Sequence, residues 1–429
     1  MNDLPTTRDE VAFLARRAGW GLAPGELDSW TALGTSAFID ALTQPDAVGI
    51  AAEASPWVDF EYVDPAGDNK SRVAMARQVL DSWLGHLAST QRPFENSLAW
   101  FWHDHFAVSG QVVNYLPALI DHLDLLREAG TGDFVELIRS VTTDAAMLVF
   151  LDGATSTGDA PNENYGRELL ELYTVGVDSY TEDDVVAAAR ALTGWVVRRR
   201  DGWAVRYRPA RHDDSPQTLL GVSGVHDVDS TVEAACGHQA CPGFIATKMA
   251  RHYLGPVDES VVAELSATFA NSGLDIMTLG RAVLETGIAG NGEPQILAPV
   301  PWLIHAVKAT GADIPVRSRL AMLRNMGQVP GQPPNVGGFP GSSTWLGSSA
   351  TAARFSSANE ISRLTPDDSV ALTAAAQREW DELADVCLRP SGFSAATLDA
   401  LGALSTSASR RPGEAALGVA LASPDLVVG

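Results

Sequence analysis

The stretch from Asn162 to Gly194 constrains the fold more than any other part of the chain. Asn162 is a good helix cap, Glu163 to Val175 reads as an amphipathic helix, and Gly176 supplies its stop. Thr181 with Asp184 opens a second helix, Glu182 to Leu192, and the helical pattern breaks at Gly194. Capped helices in such close succession describe a body of packed helices. The same punctuation recurs along the chain. Thr7 followed by Glu10 opens a helix that stops near Gly19 and Gly21. Further helices are expected over Ser71 to Ser89, Pro93 to about Phe106, Leu116 to Ala129 and Phe134 to Asp144. Later ones fall at Pro242 to Tyr253, Asp258 to Ala270, Asp275 to Leu284, Val300 to Thr310 and Val316 to Met326. The end is helical again, at Asp367 to Leu383, Ser394 to Leu404 and Gly413 to Ala422.

Two segments depart from this pattern. Trp195 to Arg200 and Trp203 to Arg208 are β-prone runs joined by Asp201-Gly202, a hairpin signal. From Gly327 to Gly347 there are six glycines and four prolines, so a long irregular loop is expected there, bordering the polar site or crossing the surface on Phe339 and Trp345. With no internal repeat and no plain linker, the expected architecture is all-α: one large body spanning residues 1–429, with a small β-hairpin insertion and a long Gly/Pro-rich loop.

Composition narrows the function classes. A hydrophobic content of 45% supports a sizeable core, and no run approaches the ~18 apolar residues of a spanning helix. A net charge of −23 opposes binding to phosphate backbones and anionic lipid, so neither nucleic acid nor membrane is an expected partner; a small molecule or another protein is. The acidic N-terminus lacks an apolar signal core, and three cysteines make no disulfide framework, which points to the cytoplasm. Cys236 and Cys241 resemble half of a zinc site without a second half. No phosphate-binding loop, HExxH or GxSxG pattern occurs.

Three constellations carry candidate chemistry. On the helix from Glu163, about 100° per residue puts Asn164, Arg167, Glu168 and Glu171 on one face. Carboxylates three apart can converge on a metal or share a proton, or can belong to a solvated ion-paired face. His103 and His105 lie on different faces of one helix, so they do not form a metal site by themselves; His105 is either a hydrogen-bonded core histidine or an imidazole partner for the two glutamates. His212-Asp213 follows a cluster of six arginines between residues 198 and 211 and can act as a base with its orienting acid, or form a turn with Asp213 closing an Asx turn. Arg190, Arg208 and Arg211 are candidates for an anionic substrate group, or for pairing with the chain's own acids.

Several stretches together resemble one bacterial family, domain of unknown function 1800: Leu14 to Gly21, Phe101-Trp102-His103-Asp104-His105-Phe106, and Asn162 to Gly176 with Tyr180 to Val185 and Ala189 to Trp195. The likeness continues through Arg211-His212-Asp213, Leu220-Gly221, Phe244 to Lys248, Pro333 to Gly341 and Ser423-Pro424-Asp425. In that family a histidine usually stands where this chain has Phe13, so the resemblance implies no catalytic role there; many relatives carry an export signal, which is not seen here. The resemblance implies no particular reaction. The expected function is an enzyme with His105, Asn164, Arg167, Glu168, Glu171, His212 and Asp213 in its site. A divalent metal ion on His105, Glu168, Glu171 and His212 is the candidate cofactor, with a histidine nitrogen close to a Glu168 or Glu171 oxygen. The alternative is a binding or assembly protein whose polar residues lock helices together.

Overall fold

The computed structural model describes residues 6–65, 67–404 and 411–428. They fold mainly as α-helices, with two small antiparallel two-stranded sheets among the described residues. Short side-chain caps set most helix starts. Asp68 caps Asn69–Ser89, Asp133 caps Phe134–Thr142, and Thr181 forms a reciprocal box with Asp184 at Glu182–Ala191. At the N-terminus the box is Thr6 with Asp9, one residue before the expected pair. Asp144 is not the end of a helix but the cap of the next, Ala145–Phe150, because its carboxylate accepts the Met147 N–H.

The hairpin forms as expected, Trp195–Arg198 pairing with Ala204–Tyr207 around Gly202. A second one, Gln217–Leu219 with Val222–Val225, turns on Leu220 and Gly221, both at positive φ. Ser348–Leu364 is a helix that the sequence does not announce. Its buried face mixes small and polar residues, Arg354, Ser357, Ala358 and Ser362, with the single large apolar Ile361, and Gly418 of the Pro412–Ala422 helix comes against Asn359 and Ser362. Such a face produces no apolar stripe. The segment expected as one helix from Asp367 is two, Val370–Gln377 and Trp380–Val386, separated where Arg378 adopts a left-handed conformation.

Two features position the polar residues. The Pro93–His105 helix runs through the core, with Phe94, Leu98, Trp100, Phe101 and Trp102 all buried. The helix that begins at Glu163 changes character at Glu168: Leu169–Thr174 is a π-helical turn, after which Gly176, at φ +83°, closes the end. Its widened turn bonds Val175 N–H to the Leu170 carbonyl and the Thr174 hydroxyl to the Leu169 carbonyl. The carbonyls of Leu172 and Tyr173, near the helix end, then face other elements.

Candidate functional site

The last turn of the Pro93–His105 helix carries three consecutive polar residues, and each reaches a different neighbour. A helix rotates successive side chains by about 100°, so His103, Asp104 and His105 fan outward. His103 is fully buried beside the Trp83 and Trp100 rings, and its Nε2 accepts the Gly331 N–H at 3.1 Å. Burial, with His122 nearby, pushes its pKa down to about 3. Its Nδ1, and the Nε2 of His122 beyond the His122–Asp144 bond of 3.0 Å, are buried without a protein hydrogen bond.

Asp104 meets the Gly/Pro-rich loop. Its Oδ1 accepts the Phe339 N–H at 2.6 Å, while a Cβ on Gly338, at φ +85°, would fall 2.5 Å from the Asp104 carbonyl oxygen. The loop is therefore docked on the helix end, with the Phe339 ring stacked on Trp100 and the Gly331 carbonyl accepting the Gly110 N–H. It borders His103 and Asp104. Burial raises the Asp104 carboxyl to about 6, opposed by the Phe339 N–H and the charge on Lys248.

His105 turns toward the π-helical segment. Its Nε2 lies 3.1 Å from the Tyr173 carbonyl, an arrangement that requires an N–H there, and its Nδ1 lies 3.3 Å from Lys248 Nζ. Burial and the lysine charge hold its pKa well below the usual histidine range. Lys248 comes from the Cys241–Leu254 helix. It also donates to the Leu172 carbonyl at 2.9 Å and lies over the Phe244 ring, 5.1 Å from its centroid. Burial lowers its pKa to about 8, with Asp104 holding it up. An acid and an amine with pKa values near neutrality thus face one environment, on a scaffold of two helices, a helix end and a loop.

Neither Lys248 nor Asp104 belongs to the constellations that sequence spacing brings out. One signal pointed to the lysine: of 30 basic residues only Lys70, Lys248 and Lys308 are lysines. The partial burial of Asp104 leaves no comparable trace in sequence.

The residues expected to form the site occupy three separate places. Glu168 and Glu171 are partly buried but meet neither histidine. Glu171 accepts the Tyr180 hydroxyl, and burial with the neighbouring Glu171 charge raises the Glu168 pKa. Arg167 makes two bonds to Glu182, at 2.8 and 2.7 Å, and approaches Glu163; Asn164 is exposed, with a long bond to the Leu151 carbonyl. His212 is held by main chain, Nδ1 to the Thr193 carbonyl at 3.0 Å and Nε2 to the His226 carbonyl at 2.8 Å. Asp213 closes an Asx turn on Ser215 N–H, with Arg190 at 4.0 Å. Arg211 donates to the Thr155 carbonyl, and Arg208 is exposed.

The expectation that a histidine nitrogen lies beside Glu168 or Glu171 is corrected by these partners. His105 and His212 are engaged by carbonyl groups, and the π-helical turn alters the helical register on which the common face was drawn. No group of three or more His, Cys, Asp or Glu side chains suited to a metal ion occurs among the described residues, so His105, Glu168, Glu171 and His212 do not converge as one ligand set. Cys236 and Cys241 are buried free thiols.

The stretches that carry the family resemblance meet at this centre: His103 to His105, the Leu172 and Tyr173 carbonyls, Lys248, and the loop through Phe339. Neither a curated protein nor a solved structure was found to match the chain. A family profile described as protein of unknown function, DUF1800, matches residues 13–428, and the chain belongs to that family.

Proposed function

We propose that the protein is an enzyme whose reacting group is the Lys248 amine, with Asp104 as its proton partner and His105 as the residue that positions it. The observation that carries this reading is the placement of Lys248 Nζ between His105 Nδ1 and the Leu172 carbonyl, in the environment it shares with Asp104. Cations do cap helix C-termini for structural reasons. An amine lowered to about 8 is a poorer cap, because burial opposes the charge that capping uses; it is a better base and nucleophile at neutral pH. The substrate class that suits it is a small carbonyl compound. The neutral amine adds to the carbonyl carbon while protonated Asp104 gives its proton to the oxygen; the carboxylate so formed takes a proton from the nitrogen and returns it to the hydroxyl, which leaves as water, with a protonated imine on Lys248 beside the Asp104 carboxylate.

Borohydride trapping tests this. The protein is incubated with a panel of small aldehydes, ketones and 2-oxo acids, reduced, and mapped by mass spectrometry. A reduced adduct on Lys248, absent from Lys70 and Lys308, is expected for at least one compound class. Labelling spread evenly over the three lysines, or confined to the other two, would overturn the reading.

A second reading keeps a divalent metal, and the mutual effect of Glu168 and Glu171 on the Glu168 carboxyl favours it, since a cation would relieve that repulsion. In that reading Glu168 and Glu171 hold the ion, with Asn164 and Arg167 on the same helix. Calorimetric titration with Mn²⁺ or Zn²⁺ tests it: binding lost in E168Q/E171Q supports the metal, and no binding by the wild type rejects it. We also place the protein in the cytoplasm with a small-molecule or protein partner, a reading supported by its three free thiols and its charge of −23.

A further inference from the structure

A cleft of about 540 Å³ opens between the Asn69–Ser89 helix, the segment from Gly110 to Leu119, and the loop residues Pro330 to Gln332. Its size falls within the roughly 300–1,000 Å³ of small-molecule sites. Val79 and Leu119 form buried apolar wall, and the Tyr62 and Tyr115 rings meet edge-on at 5.3 Å. Beside it, between the Asn69–Ser89 and Val316–Met326 helices, lies a hollow of about 260 Å³ that shares Val73, Ala76, Leu80 and Gln332 with the cleft. Three arginines line it: Arg77, Arg317 and Arg324.

None of these three pairs with a carboxylate among the described residues, whereas Arg319 on the same helix pairs with Asp81. Within the cleft, which Asp64 also lines, Arg72 donates to the amide oxygens of Asn114 and Asn69 and pairs with no carboxylate among the described residues. On a chain with 53 acids against 30 bases, guanidinium groups gathered without acidic partners around one hollow run against the general charge. Exposed arginines solvated by water are the plain alternative, but that alternative does not account for an apolar cleft next to them. A mainly apolar enclosure with a few polar groups at one end orients a ligand by its head group. Guanidinium forks match carboxylate and phosphate oxygens.

We propose that this is a binding site for a free amphipathic anion, an apolar body in the cleft with a phosphate or carboxylate head on Arg77, Arg317 and Arg324. It stands independently of Lys248.

The test is calorimetric titration of the full chain with octyl phosphate, octanoate, octanol and inorganic phosphate, each below its aggregation limit. One-to-one binding of at least one octyl anion is expected, with octanol at least tenfold weaker and inorganic phosphate without measurable heat. R77Q/R324Q is expected to weaken the anion at least tenfold. A76W, a change at a half-exposed wall position, is expected to abolish binding while the thermal midpoint stays within a few degrees. Equal binding of octanol and octyl anions, or wild-type affinity in both variants, would overturn the proposal. Sedimentation with phosphatidylglycerol vesicles separates the sources: binding to vesicles without binding to the monomeric anions assigns the surface to a membrane and also overturns it.

Discussion

Two polar regions of this protein lie on either side of one helix end and obey different rules. On the outer side, Glu163, Arg167, Glu171, Tyr180 and Glu182 satisfy one another in a half-exposed network. On the inner side, Asp104, His105 and Lys248 are drawn into the core and answered mainly by main-chain groups: the Phe339 N–H and the Leu172 and Tyr173 carbonyls. The outer charges retain much of their hydration, and their pairing adds little to stability. The inner charges have lost most of theirs, so their pKa values move toward neutrality. A dense array of charged residues is therefore a weaker guide to reactivity than a few charged residues placed where water is scarce.

The largest expected effect separates the regions by pH. Asp104 has a folded pKa raised from 3.8 to about 6, so its contribution to stability is present below about pH 4 and is lost as the pH rises through 6. A shift of this size corresponds to about 3 kcal/mol. Asp104→Asn keeps an oxygen for the Phe339 N–H and removes the titration. The stability difference between variant and wild type is expected to move by about 2–3 kcal/mol in favour of the variant between pH 4 and pH 7, read from urea unfolding at both. A pH-independent difference would remove Asp104 from the buried class.

Next in size is the docking of the loop. Gly338→Ala adds a Cβ against Asp104 at a left-handed backbone position, and a loss of about 2 kcal/mol is expected, visible as a lower urea midpoint. An unchanged midpoint would mean that the loop does not rest on Asp104.

The smallest effect belongs to the outer face. E168Q/E171Q is expected to change stability by no more than about 1 kcal/mol at pH 7, because Glu168 is relieved of a neighbouring charge while Glu171 keeps an oxygen for Tyr180. A loss above about 2 kcal/mol would place the two glutamates with the inner group and erase the contrast.

The two regions also differ in how far sequence reveals them. Helix caps, glycine stops and the Asp201-Gly202 turn act locally, so the all-α architecture and the first hairpin could be read from neighbouring residues, while the loop expected to be irregular to Gly347 ends in a 3-10 turn, Ser342–Leu346. The acidic face could be read only as far as Glu168, because the π-helical turn that holds Glu171 departs from the α-helical spacing. The inner centre could not, because it joins His105 to a lysine 143 positions away and to carbonyls freed by a π-helical turn, and neither relation has a local signature. The Ser348–Leu364 helix escaped for another reason: its buried face carries Arg354, Ser357, Ala358 and Ser362 around one Ile361, which makes no apolar stripe. The turn at Leu169–Thr174 also limits what face arguments can do, since one inserted residue redirects every side chain beyond it.

The central claim is that burial holds Lys248 as an amine of near-neutral pKa, with Asp104 supporting its charged form, and its titration tests this most directly. With only three lysines, reductive ¹³C-methylation gives few signals, assignable from Lys70→Arg and Lys308→Arg variants. The account predicts a midpoint for Lys248 near 8 in the wild type, and a lower one in Asp104→Asn, where the carboxylate that supports the ammonium is gone. A wild-type midpoint at the ordinary lysine value of 10.5, unmoved by the substitution, would contradict it.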